Sequence, residues 1–66
     1  MTPEYANSRV TELIGEYIHN ARDRDILRDN LVDGMTYGEL AGKYNLSYER
    51  IKTVIRKGKI VIFRHY

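Results

Sequence analysis

The absence of cysteine from a chain of only 66 residues is the feature that most restricts how it can fold. A chain of this length buries only about 60% of the surface that it exposes when unfolded. Neither a disulfide framework nor a cysteine-ligated zinc ion can add stability, so close helix packing or a partner must do so. We therefore expect one compact domain over residues 1–66, without repeats or linkers and without room for a large catalytic cavity. An enzyme is not expected.

The composition also indicates where the chain works. No apolar run approaches the roughly 20 residues that a membrane span needs, and the lack of cysteine is typical of a reducing compartment. The sequence therefore predicts a cytoplasmic protein without a membrane segment.

Charge is distributed unevenly along the chain, although the net charge is only +2. Up to Gly42 there are eight acidic and four basic residues, whereas from Lys43 onward seven basic residues are opposed by Glu49 alone. A basic segment suits a polyanion, because each cation that neutralises a phosphate releases condensed counterions. On composition alone, a solvated helix face is the more common explanation.

Helical spacing predicts two helices in the first half of the chain. Thr2 followed by Pro3 is typical of an N-cap and a first helical position. Apolar residues then recur at helical spacing, as Val10, Leu13, Ile14, Tyr17 and Ile18. Asn20 is the expected cap of a second helix, from Arg22 to about Val32, which Asp33-Gly34 ends. Its apolar stripe consists of Ile26, Leu27 and Leu31.

Two further start signals follow closely. Thr36 and Glu39 form a capping box, so a short helix is expected to open at Tyr37. Asn45-Leu46-Ser47 then combines a residue that tolerates positive φ with a new cap, and another helix is expected to start at Tyr48. The sequence thus predicts two helices joined by a short angular turn.

The apolar pattern of these two helices matches the internal positions of a helix-turn-helix. The matching residues are Leu40, Ala41, Leu46, Ile51 and Val54. Ala41 must be small where the helices cross, and Ile51 and Val54 lie on the inner side of the second helix. The residues left facing outward are Tyr48, Glu49, Lys52, Thr53 and Arg56. Such side chains suit base edges and phosphates, so residues 48–57 are the expected recognition helix.

The run from Arg24 to Arg56 resembles region 4 of the sigma-70 factors of bacterial RNA polymerase, and stand-alone proteins of bacteria and prophages that share this helix-turn-helix. The resemblance is clearest in DGMTYGELA and LSYERIK. It implies a recognition helix in the major groove of the −35 promoter element and docking on the polymerase β-subunit flap. Tyr48 stands where the family usually has arginine, and Asn45 replaces the common turn glycine. No segment resembles the region that binds the −10 element, which argues against a complete sigma factor.

By position, the resemblance adds Arg50 to the outward set. The DNA-contacting residues that we predict are Tyr48, Glu49, Arg50, Lys52, Thr53, Arg56 and Lys57. No catalytic residue, cofactor or metal site is predicted.

The tail from Gly58 to Tyr66 has two interpretations. Gly58 could end the recognition helix, after which residues 60–63 would form a short strand. Alternatively the helix continues, because Ile51, Ile55, Gly58 and Ile62 share one stripe, at a cost of about 1 kcal/mol for an internal glycine. We favour continuation, and therefore an all-α bundle of four helices. The apolar tail is expected to cover the first helix or to pair with a second copy.

Several other residues have structural explanations. His19 and His65 are expected on the surface. The acidic series Asp23, Asp25, Asp29 and Asp33 is expected to form exposed ion pairs with Arg22, Arg24 and Arg28. Lys43 could touch a phosphate or simply lie exposed at a helix end. We expect a core position for Tyr5, Tyr17 and Tyr44, and we regard Tyr37, like Tyr48, as a candidate for the DNA face.

Two functions of different classes follow. The first is sequence-specific binding of double-stranded DNA in transcription regulation, as a homodimer because one recognition helix contacts few base pairs. The second is a protein-docking module that engages RNA polymerase or another partner. A basic recognition helix favours DNA, whereas an apolar exposed face on the first helix would favour docking.

Overall fold

A computed structural model describes residues 7–66, which form four α-helices and no strand. Helix α1 spans Asn7–Tyr17, α2 spans Ala21–Leu31, α3 spans Tyr37–Tyr44 and α4 spans Tyr48–His65. The prediction of an all-α bundle of four helices is confirmed. The predicted helix start at Thr2 and Pro3 and the predicted core position of Tyr5 lie outside the described residues.

Helices α2 and α4 form the centre of the bundle, since each of them contacts the other three helices. One side of every helix supplies aliphatic side chains to a single core. The buried residues are Val10, Leu13, Ile14, Ile26, Leu27, Leu40, Ile51, Val54, Ile55 and Ile62. The core therefore fixes the orientation of α4 from three directions.

The predicted helix ends of α2 and α3 are confirmed by their hydrogen bonds. Asn20 Oδ1 accepts from the backbone NH of Asp23 at 3.1 Å, and Gly34 has the positive φ of 76° that closes the helix end. The Thr36 hydroxyl accepts from the NH of Glu39 at 3.2 Å, while the Glu39 carboxylate accepts from the NH of Thr36 at 2.9 Å. That backbone bond lowers the pKa of Glu39.

The tail continues α4 to His65, so the strand alternative for residues 60–63 is wrong and continuation is confirmed. Gly58 does not end the helix, because it is buried where α4 passes close to α2. An ideal Cβ at this position would lie 2.4 Å from Leu27 Cδ1. The last turn also reaches α1, where Arg9 Nη2 donates to the carbonyl of His65 at 3.2 Å. The expectation that the tail covers the first helix is confirmed.

Tyr17 was expected in the core and is instead 38% exposed. Its ring stacks on His65 with centroids 3.8 Å apart and planes 3° apart. The prediction was wrong because the helical stripe of α1 is wider than the surface that α2 and α4 cover. The stack shields one face of the tyrosine at the rim of the bundle.

Among the described residues, the interleaved charges of α2 form only one of the ion pairs expected within the helix. Arg28 and Asp25 approach to 4.0 Å, but Arg24 donates to the carbonyls of Ile18, at 3.0 Å, and His19, at 3.2 Å. Arg24 thus bonds to two backbone carbonyls just after the end of α1. The charge pattern within α2 does not reveal this contact.

Lys43 forms an intramolecular ion pair, with its Nζ 2.7 Å from Asp29 Oδ2. The hydroxyl of the half-buried Tyr44 donates to the same oxygen at 2.5 Å. Burial raises the pKa of Asp29, but the hydrogen bonds from Lys43 and Tyr44 outweigh it and hold the pKa below its usual value. Burial and the bond to Asp29 raise the pKa of Tyr44. These contacts join α2 to α3. Lys43 is exposed in the last turn of α3, as the second alternative expected, and is bonded to Asp29 as well.

Candidate nucleic-acid interface

The connection between α3 and α4 consists of three residues. Asn45 has φ 55° and ψ 46°, the left-handed conformation that asparagine tolerates better than most residues. The backbone NH of Leu46 donates to the carbonyl of Ala41 at 3.1 Å, and the Ser47 hydroxyl accepts from the NH of Arg50 at 3.1 Å. The predicted roles of Asn45 and Ser47 are confirmed. The left-handed residue and the new N-cap therefore end α3 and start α4 within three residues.

The inner side of α4 is anchored as predicted. Ile51 and Val54 are buried, together with Ile55 one turn further along. Because residues three and four apart share one side of a helix, this burial turns the intervening side chains away from the core. The orientation of the recognition segment is thus set by aliphatic packing.

The predicted contact residues come together on the outer side of the first three turns of α4. Six of the seven are exposed, and Tyr48 has 53% of its surface accessible. The exposed residues are Tyr48, Glu49, Arg50, Lys52, Arg56 and Lys57. Thr53 is half-buried. One continuous surface therefore carries all seven.

Tyr48 also contacts Tyr37, the other aromatic candidate for this face. The two rings meet edge to face with centroids 5.7 Å apart. Since each ring belongs to the first residue of its helix, the pair holds the amino-terminal ends of α3 and α4 together. Tyr37 is half-buried and Tyr48 is the more exposed of the two.

The charges of this surface are not neutralised within the described chain. Three ion pairs occur in residues 7–66, Arg9–Glu12, Arg28–Asp25 and Lys43–Asp29, and none involves α4. Arg50, Lys52, Arg56 and Lys57 are exposed cations with only Glu49 as an acidic neighbour on the same helix. Such a surface is attractive to an anionic partner.

A cleft of about 210 Å³ runs along one flank of this surface, between α2 and α4. Its apolar wall is made by Ile18, Leu27, Val54 and Val61, with Gly58 between them. Its polar lining consists of Arg50, Thr53 and Lys57 from α4 and Asp23 from α2. Sequence reasoning missed Asp23 as a neighbour of the predicted contact residues, because nothing local to α2 signals where α4 crosses it.

No group of three residues that could ligate a metal ion is found in the part of the chain that the structure describes. His19 is exposed and His65 is stacked on Tyr17. Within residues 7–66, no helix has both the length and the apolar character for crossing a membrane.

Comparisons of the chain with protein-family models, with curated proteins and with solved structures find no match.

Proposed function

We propose that this chain binds double-stranded DNA sequence-specifically, as a regulator of transcription, with α3 and α4 as a helix-turn-helix and residues 48–57 as its recognition helix. The observation that carries the proposal is a set of exposed cations on α4 that form no ion pair within residues 7–66, which are Arg50, Lys52, Arg56 and Lys57. A protein that uses its basic side chains for stability would pair them with its own acids, as Lys43 does with Asp29. The α4 cations remain available for phosphates and bases.

The dimensions of the segment agree with this function. An α-helix with its side chains is about 10–12 Å across and the major groove is about 12 Å wide, so a helix fits into the groove. Ten residues of helix extend for roughly 15 Å along it. Lys52 and Arg56 can donate to guanine, and Glu49 can accept from the amino group of cytosine. The polypeptide then acts as a binding module and not as an enzyme.

The resemblance to region 4 of sigma-70 factors supports the same assignment, because it places DNA contact on Tyr48, Glu49, Arg50, Lys52 and Thr53. Docking on RNA polymerase and formation of a homodimer stay predictions of that resemblance and of the short recognition helix.

Docking on a protein is the weaker candidate. An apolar exposed face on α1 would favour it, and α1 has no such face among its described residues. The exposed residues of α1 are mostly polar or small, namely Ser8, Arg9, Thr11, Glu12, Gly15, Glu16 and the stacked Tyr17. Ile60 on α4 is 55% exposed, but a single apolar side chain on a surface is ordinary. These features favour DNA as the partner.

Selection of bound duplexes from a random DNA pool, followed by anisotropy titration of the selected duplex against an unrelated one, tests the proposal. We expect a recurring sequence, tighter binding to it, and affinity that falls steeply with salt. Measurement of the mass in solution, with and without the duplex, tests the homodimer. Failure to enrich any sequence, together with no salt-dependent binding to any duplex, would contradict the proposal.

A further inference from the structure

The cleft between α2 and α4 divides the contact residues into two stripes. Arg50, Thr53 and Lys57 follow one another at spacings of three and four along α4, so they share the flank that faces α2. Glu49, Lys52 and Arg56 lie on the outer side of the same turns and do not line the cleft. The two stripes therefore meet different parts of anything that binds along α4.

Groups of opposite charge face each other across this cleft without bonding. Arg50 and Lys57 come from α4, and Asp23 comes from the first turn of α2. None of the ion pairs within 4.0 Å among residues 7–66 includes any of the three. Asp23 Oδ1 is buried and has no hydrogen-bond partner within the described chain. A buried carboxylate oxygen without a partner is unfavourable for stability, so Asp23 does not contribute to stability through this oxygen.

We propose that the cleft receives a backbone phosphate of the bound duplex and that Asp23 weakens this contact. The Arg50 guanidinium, the Lys57 ammonium and the Thr53 hydroxyl are the donors, and the Asp23 carboxylate repels the phosphate from the opposite wall. The inference rests on the proposed function, which it deepens by separating a phosphate-binding stripe from the base-reading stripe of Glu49, Lys52 and Arg56.

Asp23 is thereby a residue that limits sequence-independent affinity. Phosphate contacts position a protein on DNA but carry no sequence information, and they supply essentially all of non-specific binding. A fixed negative charge beside the phosphate site lowers affinity for every duplex alike and leaves the preference among sequences to the outer stripe.

The test compares Asp23→Asn with Asp25→Asn. Both substitutions remove one negative charge from α2 with little change of shape, but Asp25 is exposed and lies about 200° around the helix from Asp23. We expect Asp23→Asn to tighten binding about threefold to tenfold at low salt, by a similar factor for the selected and an unrelated duplex. The gain should shrink as salt rises. Asp25→Asn reports the effect of net charge alone and should change affinity much less.

A second measurement separates the proposed role from a structural one. Asp23 also lies in the first turn of α2, where a negative charge favours the helix dipole, so a purely structural role predicts a lower Tm and no gain in DNA affinity. In the background Arg50→Gln/Lys57→Gln, no phosphate is held in the cleft, and the gain from Asp23→Asn should largely disappear. Asp23→Ser, which keeps a good residue for a first helical turn, replaces Asp23→Asn should the latter unfold.

Equal effects of Asp23→Asn and Asp25→Asn, or a gain that persists without Arg50 and Lys57, would overturn the inference while leaving DNA binding intact. If the unmodified protein binds no duplex at any salt concentration, the proposed function fails and the inference fails with it. The two failures are therefore distinguishable in one set of titrations.

Discussion

Gly58 of α4 lies directly against Leu27 of α2. A Cβ built on Gly58 would lie 2.4 Å from one methyl carbon of Leu27 and 2.5 Å from the other. Leu27 is fully buried, and together with Gly58 it lines the cleft between α2 and α4. The two helices can approach this closely only because position 58 has no side chain.

This contact predicts that Gly58→Ala destabilises the protein. Alanine improves helix propensity by about 1 kcal/mol, but overpacking a filled core costs about 1–3 kcal/mol. We expect a net loss of about 1 kcal/mol in the free energy of unfolding, measured by urea denaturation.

Gly15→Ala in α1 is the matched control for this substitution. Gly15 is also inside a helix, but a Cβ there meets nothing within 4 Å. We expect stabilisation of up to about 1 kcal/mol. Stabilisation by both substitutions would mean that Leu27 yields, and that the close approach is not a constraint.

The contact between Asp29, Lys43 and Tyr44 predicts that the free energy of unfolding decreases at acid pH. Burial raises the pKa of Asp29, but the hydrogen bonds from Lys43 and Tyr44 outweigh it and hold the folded-state pKa below its usual value. The stabilisation is therefore complete above the unfolded-state pKa and is lost as pH falls through the folded-state value.

Asp29→Asn removes this dependence. We expect a loss of about 1 kcal/mol at neutral pH, mostly from the bond to Tyr44, because the exposed Lys43 contributes little. As pH falls from the unfolded-state pKa of Asp29 through its lower folded-state pKa, the gap between the unmodified protein and the variant should close. Urea unfolding at a series of pH values measures this gap. Asp33→Asn, at an exposed position, is the control for net charge. A gap that stays constant to the lowest pH would argue against the assignment.

The exposed cations of α4 predict how DNA affinity responds to their removal. We expect Lys52→Ala and Arg56→Ala each to weaken binding of the selected duplex, by about 1–3 kcal/mol where the side chain contacts a base. Where it contacts a phosphate, the salt dependence should fall by about one counterion. Anisotropy titrations at several salt concentrations distinguish the two cases.

Lys43→Ala is the control, because it removes the same charge from a lysine already bonded to Asp29. Its effect on DNA affinity should be smaller. Binding curves for Lys52→Ala and Arg56→Ala that match the unmodified protein would remove these residues from the interface.

Glu49 is expected to act on base preference and not on overall affinity. A carboxylate is repelled by phosphates, so it is useful mainly where it accepts from a cytosine amino group and disfavours other bases. Repeating the selection with Glu49→Ala should relax the preference at one or two base pairs. Glu16→Ala, on the exposed side of α1, should leave the selected sequence unchanged. A uniform change of affinity for all duplexes by Glu49→Ala would contradict the assignment.

The features that could be predicted from the sequence are those decided within a few residues. The caps at Asn20, Thr36 and Ser47 bond to an amide three positions away, so the sequence contains both partners. The inner positions Ile51 and Val54 follow from periodicity, which also identifies the outer side of α4.

Features that depend on distant partners could not be predicted. Tyr17 has an apolar position in α1 but stacks on His65 at the other end of the chain. Lys43 pairs with Asp29 across two helices, and Asp23 joins the cleft only because α2 crosses α4. The apolar run after Gly58 is compatible with a strand or a helix, although its stripe favours a helix, and the close approach of Gly58 to Leu27 is a contact that the sequence does not reveal.

Helix α4 supplies both the proposed recognition surface, at residues 48–57, and, at His65, contacts with Tyr17 and Arg9 of α1. Because one uninterrupted hydrogen-bonded rod carries both, its outer turns cannot pivot without lifting His65 from Tyr17. In the DNA complex that we propose, α4 therefore has little conformational freedom left to lose on entering a groove, and a poorly matched site would have to be accommodated by deformation of the duplex.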